Sequence, residues 1–462
     1  SEIICNDDFV GKYQKVQYFV SSDKRARCYH DFAYSLSAAT KRICSSFKIT
    51  SLSVFELDDK NNAVCAAGGL LEYLAQTQKR SLGQLGKITF LHDKSFMMLD
   101  TATRRNLELT ERARDGKRAG SLLSVLDKTC TAMGARTMKR WIEQPLQDAD
   151  MINKRLDAVE TLCSSKAGRE RLSDALSRAR DLERLNGRLA YGNATPKDLL
   201  SISDTLAGIP EVKASLDGVQ TALLKKINSA LYPLEKVQLV LDSALDRDGV
   251  NSYKNGGYVK KGYDEQLDQM RDIHISAKGW LAELESKERE ETGIVGYNKV
   301  FGYYIEVSKS FTDKVPYRYE RKQTLVNGER YITQELKQLE ERILSAEATA
   351  SALEEKIFTE LKALCYDSLA KLQSNASALS ALDCLLSFAN VSVANDYVKP
   401  VINKKVKCID IESGRHPVVE TLLDKGAYVP NDTLLNDADD RTMIITGPNM
   451  AGKSTYMRQV AI

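Results

Sequence analysis

The stretch LKQLEERILSAEATASALEEKI, residues 336–357, decides the fold class. Its Leu336, Leu339, Ile343, Ala346, Ala350, Leu353 and Ile357 recur at alternating steps of three and four, with Glu and Lys between them. That rhythm lays one apolar seam along a helix, the pattern of a helix that lies lengthwise on another. Upstream, Leu267, Met270, His274, Ala277, Leu281 and Leu284 keep the same steps. The two seams predict an antiparallel pair of long helices, the second rising roughly 40 Å at 1.5 Å per residue. His274 stands on the first seam either as a packed residue or as a ligand.

The segment enclosed by the pair is β-rich. Tyr303, Ile305 and Val307 alternate with Tyr304, Glu306 and Ser308, a period-two strand. Asn327-Gly328, between 324–326 and 329–332, is a hairpin turn signal. The segment is also basic: Lys309, Lys314, Arg318, Arg321, Lys322 and Arg330 stand against Asp313, Glu320 and Glu329, with Tyr317, Tyr319 and Tyr331 interleaved. Two readings stand side by side. The patch neutralises the phosphates of a nucleic-acid backbone, or it is a solvated hairpin kept soluble by its charge.

From about residue 100 to 288 the texture is helical, with Ile152, Leu156, Val159 and Leu162 forming a one-sided stripe. Residues 1–90 read as mixed α/β, with a helical stripe over 63–73 and strand character at 88–91. The 462 residues fit two to four domains. With 43% hydrophobic and 28% charged residues, wholesale disorder and a collagen-like chain are excluded. No apolar run approaches the ~18 residues of a membrane span, and Ser1-Glu2-Ile3 carries no basic-then-apolar leader. Ser1 is not Met, so the first segment is expected to be the tail of a longer domain. Nine cysteines without a C-x-x-C pair predict reduced thiols in a cytosolic protein. Four histidines without H-E-x-x-H argue against a zinc enzyme. The net charge of +3 says little about partners, since a local patch hides inside a balanced total.

The last stretch carries the chemistry. Residues 442–446, TMIIT, predict an apolar strand leading into Gly447-Pro-Asn-Met-Ala-Gly452-Lys453-Ser454, which fits G-x-x-x-x-G-K-[ST]; 455–462 is helix-compatible. The glycines let the backbone curl so that its N–H groups face phosphate oxygens, and the new helix adds its N-terminal dipole. Lys453 brings a point charge to the same oxygens, and the Ser454 hydroxyl suits Mg²⁺. Nucleotide binding is the expectation. Upstream, Tyr428 reads either as core or as a base-stacking aromatic. His416, beside Pro417, reads either as a structural turn or as a base.

Together these residues resemble the MutS family of DNA mismatch-repair ATPases, most closely its bacterial mismatch-recognition branch. The resemblance runs through TGPNMAGKSTYMRQ at 446–459, GRHPVVE at 414–420, GYYIEVSK at 302–309, RKQTL at 321–325, DTATRRNLE at 100–108 and MKRWIEQPL at 138–146. It implies a multidomain, mainly α chain: the C-terminal part of an α/β connector domain at 1–93, helical core and lever at 94–288, a small β-rich DNA clamp at 289–335, returning lever and core at 336–410, and the beginning of a P-loop α/β ATPase domain at 411–462. It places ATP on Tyr428, Gly447, Pro448, Asn449, Met450, Ala451, Gly452, Lys453, Ser454 and Thr455, Mg²⁺ on Ser454, and duplex DNA on Lys309, Arg318, Arg321, Lys322, Asn327 and Arg330. Relatives often have Phe where this chain has Tyr428, and either residue offers a π face. At Ala451 many relatives have Gly, and a methyl there is expected to crowd the cradle.

The function implied is that of an ATPase acting as a homodimeric clamp, encircling duplex DNA at mispaired or unpaired bases and handing on to a MutL-like repair factor. Its setting would be the bacterial cytoplasm, at the nucleoid, with no membrane partner. The alternative within the family is a homologue acting on recombination junctions or in antirecombination. The family's Phe-x-Glu mismatch reader would precede Ser1, and its Walker B carboxylate, signature segment and dimerising helices would follow Ile462. No catalytic residue falls within this stretch, and a polypeptide of these residues is expected to show no significant ATP turnover.

Overall fold

The computed structural model describes residues 2–47, 49–55, 57–78, 85, 88, 96–250, 256–292, 304–309, 315–326, 328–424, 426–448 and 451–462. It is mainly helical, with small sheets. Two compact units emerge: Ser1–Asn193, Asp204–Pro233 and Ser368–Ile462 form one, Ala194–Ser203 and Leu234–Asp367 the other.

In the first unit, successive helices open on residues whose side chains accept otherwise unpaired backbone N–H groups. Asp100, Ser121, Thr131, Asp148, Ser165 and Asp181 each cap the helix that follows. Gly192, at φ +72°, closes the helix Leu182–Tyr191 in the left-handed conformation that glycine adopts without strain. The axis of the unit is the helix Leu369–Ala394, which contacts Ala132–Glu143, Ala149–Cys163, Lys166–Ser177 and Leu182–Tyr191. By length and composition this helix could cross a membrane, an exception to the expectation from sequence; most of it is buried in the protein core. Helix Ala149–Cys163 forms as its stripe predicts, but the side it buries runs through Ala149, Ala158 and Leu162, leaving Ile152, Leu156 and Val159 half-buried.

The described residues within 2–78 are mixed α/β, as expected: strands Ile3–Asn6 and Ala26–Tyr29 pair in parallel. Helices Leu36–Phe47 and Asn61–Gln78 pack around Ala39, Ile43, Val64 and Leu71. The strand expected at 88–91 lies outside the described residues beyond Ile88. All nine cysteines are free, and burial pushes the Cys365 thiol up to about 12.

The second unit is built on helices Glu265–Thr292 and Gln334–Asp367, which pack on one another. Arg271 meets Glu354, the Arg342 guanidinium lies over the Trp280 ring, and Leu284 shares a cluster with Leu336 and Leu339. Partner numbers fall as the first helix rises, so the pair is antiparallel. The 34-residue second helix spans about 51 Å at 1.5 Å per residue. One seam position is corrected: Glu354, 4% exposed, points inward where Leu353 was expected, and Leu353 is half-buried. A straight helix turns once per 3.6 residues rather than 3.5, so a long heptad seam drifts around its surface. The side chains of His274, Ala277 and Leu281 lie outside the described ones.

Candidate phosphate loop and basic sheet

The enclosed segment folds into three antiparallel strands, Ile305–Ser308, Glu320–Thr324 and Gly328–Ile332, with the last in the middle. Its first strand keeps the period of two: Ile305 and Val307 are buried, together with Tyr319 and Tyr331, against Leu336 and Ile343. Tyr304 departs from the expected alternation and is 6% exposed. The Arg330 guanidinium covers its ring at 4.1 Å, closing the opposite face of the sheet. The hairpin forms around the expected turn, the Leu325 N–H donating to the Gly328 carbonyl, but its first strand lies further back, at 320–324. Asn327, Tyr303, Asp313 and Lys314 fall outside the described residues.

Glu320–Thr324 is an edge strand exposed at every position. It carries Arg321 and Lys322, and the register shifts between Arg321 and Gln323, so Lys322 sits at a bulge that re-aims its side chain. Arg321 reaches Glu329 at 3.2 Å, and Lys322 reaches Glu320 at 3.9 Å, with both cations about 60% exposed. The Tyr331 hydroxyl donates to Glu329, and that bond, with the Arg321 charge, holds the carboxyl below its ordinary value. Arg330 is different: its side chain is 13% exposed and engages Glu306 and Gln323. Lys309 and Arg318 are exposed, with Arg318 5.9 Å from the Tyr319 ring.

In the first unit, Gly447 at φ +149° and Gly452 at φ +89° bracket the phosphate-loop motif. Both values suit glycine and strain other residues. Helix Lys453–Ala461 follows without a side-chain cap, so its first N–H groups are uncommitted to one, and the Lys453 ammonium donates back to the Gly447 carbonyl. A Cβ built on Gly447 would stand 3.9 Å from the Ala451 methyl, an ordinary contact. Pro448 lies at its start, and Asn449 and Met450 are outside the described residues. Ser454 is exposed and Thr455 half-buried.

The strand expected at 442–446 is corrected. Residues 442–446 have no ladder partner among the described residues, and Ile444 is 85% exposed. A strand is defined by its neighbours, and apolar character alone does not make one. The nearby sheet is instead the antiparallel pair Cys408–Gly414 and Asn431–Asn436.

The Tyr428 hydroxyl donates to Gln459 at 2.6 Å, tying that aromatic to the helix after the loop. His416 is the turn residue: 5% exposed, its Nδ1 accepts the Val418 and Val419 N–H groups at 3.3 and 3.4 Å. Arg415 pairs with Glu420 at 3.0 Å, and the Tyr397 hydroxyl donates to Glu420 at 2.7 Å. Sequence reasoning missed Glu108, which pairs with Arg458 of the loop helix at 3.3 Å. Its only signal was that both residues lie within motifs quoted above.

The described residues thus combine a mainly helical core, small sheets and a glycine-bracketed segment, with Lys453 at its end, opening a helix that has no side-chain cap. The chain belongs to the MutS family. The family profile for MutS domain III matches residues 102–389, and that for MutS domain II matches residues 1–88. A DNA mismatch repair protein MutS from Caldanaerobacter subterraneus subsp. tengcongensis is 43% identical over all of this chain and 53% of its own length. One from Alkaliphilus oremlandii is 43% identical over 94% of this chain and 50% of its own. One from Desulforamulus reducens is 46% identical over 87% and 46%. The chain spans about half the length of the curated relatives it matches.

Proposed function

We propose that the whole protein initiates DNA mismatch repair as an ATP-dependent clamp, gripping duplex DNA at mispaired or unpaired bases. The observation that carries this is identity above 40% along the entire chain with proteins named for that process. In this reading residues 1–93 are connector, 94–288 and 336–410 core and lever, 289–335 the clamp and 411–462 the opening of the ATPase domain. The working form is a homodimer in the bacterial cytoplasm, and a MutL-like factor acts downstream. The alternative, action on recombination junctions, has no support in the names of these relatives.

The loop suits a triphosphate. Its two positive-φ glycines leave the backbone free of side chains, and Lys453 needs only to exchange the Gly447 carbonyl for phosphate oxygen. When bound, Mg²⁺ would screen phosphate charge, with Ser454 giving one oxygen and the phosphates others. Tyr428 would stack on the base, its orientation held by Gln459.

On the sheet, Arg321 and Lys322 are the phosphate contacts, and in this reading Lys309, Arg318 and Asn327 join them. Arg330 serves mainly as their brace, since its guanidinium is engaged within the sheet. Edge-strand cations also deter pairing with other chains. Binding to matched and mismatched duplexes tests the phosphate contacts. Arg321→Ala and Lys322→Ala should weaken both alike and reduce the log–log salt slope by about one each. A loss confined to mismatched DNA would contradict backbone contact. Lys453→Ala should abolish ATP binding.

A further inference from the structure

Glu108 occupies a backbone conformation that a residue with a Cβ rarely adopts, φ +51°. Such strain persists only where surrounding contacts over-determine the residue. Here its carbonyl accepts the Leu122 N–H at 3.1 Å, and its Oε1 accepts the Ala113 N–H at 2.8 Å. That leaves Oε2 turned to Arg458, 3.3 Å away on helix Lys453–Ala461. Arg458 follows Ser454 by four residues, so the two share a helix face. Beside the pair lies a cavity of about 280 Å³, walled in part by Leu107, Arg112, Gly120, His416 and Thr455. The helix is therefore not fully packed along this side, and its orientation depends on specific ties.

We infer that Glu108 is a positioning residue: through Arg458 it fixes how the helix carrying Lys453 and Ser454 is presented to a nucleotide. The strained backbone is the means, because an ordinary φ at Glu108 would aim the carboxylate elsewhere. This inference rests on the nucleotide reading for its consequence, but the tie itself can be measured without nucleotide.

The test uses the full-length protein and amide hydrogen exchange over 453–461. Glu108→Gln should speed exchange there by about twofold to fivefold, the effect of losing a half-exposed ion pair, and leave 132–143 unchanged. Glu108→Asn, comfortable at positive φ but too short to reach Arg458, should do the same while relieving strain. Arg458→Gln should loosen the helix by a similar factor, and adding it to Glu108→Gln should loosen it no further, since the two residues act through one tie. The Kd for ATP with Mg²⁺ should rise in Glu108→Gln by a similar factor, and no further in the Glu108→Gln, Arg458→Gln double variant. Unchanged exchange at 453–461 in both Glu108 variants overturns the inference, as do effects of Glu108→Gln and Arg458→Gln that simply add in the double variant. If the native protein bound no ATP, the nucleotide reading would fall, and the exchange data would still decide whether Glu108 holds the helix.

Discussion

Gly134 has no room for a side chain. A Cβ there would stand 2.1 Å from the Asp383 Oδ2 and 2.7 Å from its Cγ. Asp383 cannot give way, because it is fully buried and accepts the Cys130 N–H, the Thr131 N–H and the Thr131 hydroxyl. Gly134→Ala is expected to destabilise the first unit by about 1–3 kcal/mol, the usual cost of overpacking, read from urea midpoints. Nothing local in the sequence discloses this contact, since the partners are far apart along the chain. His416 is a second case. Burial, then the Arg458 charge, holds its pKa below the ordinary 6.5. The unfolded chain takes up the proton more readily, so this contribution to stability is fully present above about 6.5 and is lost as pH falls through the depressed folded value. His416→Asn, which keeps an acceptor without titrating, should lose less stability between pH 7 and pH 5 than the native protein in parallel urea titrations.

Between the two long helices, the polar tie is Glu354. The Gly257 N–H donates to its carboxylate at 3.0 Å, Arg271 pairs with it, and Arg271 also donates to the Val259 carbonyl at 2.9 Å. A buried ion pair adds little net stability but penalises any slip that separates its members. Glu354→Leu should therefore cost about 3 kcal/mol by stranding Arg271. Glu354→Leu with Arg271→Met should recover most of it, as a double-mutant cycle in urea would show. The pairing of these helices was legible because apolar side chains repeat along one line. Glu354 was not, because a charge beside a seam looks like surface until its partner is known. For the same reason the 442–446 stretch misled: periodicity reports what a side chain prefers, whereas a ladder depends on what lies next to it. The basic sheet was legible as charge, but the division between exposed Arg321 and engaged Arg330 follows from tertiary contacts alone.

Each compact unit contains one of the chain's two tryptophans. Trp141 lies beneath the Arg155 guanidinium at 3.6 Å, and Trp280 lies beneath Arg342 at 5.1 Å. Trp141→Phe and Trp280→Phe variants thus report the units separately. Two units with separate cores are expected to give fluorescence transitions in urea that do not coincide; coincident curves would mean a single cooperative body. At this scale sequence and structure agree on mainly helical architecture, but the units divide at 233 and 367 in addition to 193 and 203, where composition does not change. The apolar helix Leu369–Ala394 has a consequence during translation. Its partners, Ala132–Glu143, Ala149–Cys163 and Leu182–Tyr191, leave the ribosome before it does. A segment greasy enough to attract membrane-targeting machinery thus emerges to find its protein neighbours already made, and moving it to the front by circular permutation would remove that shelter.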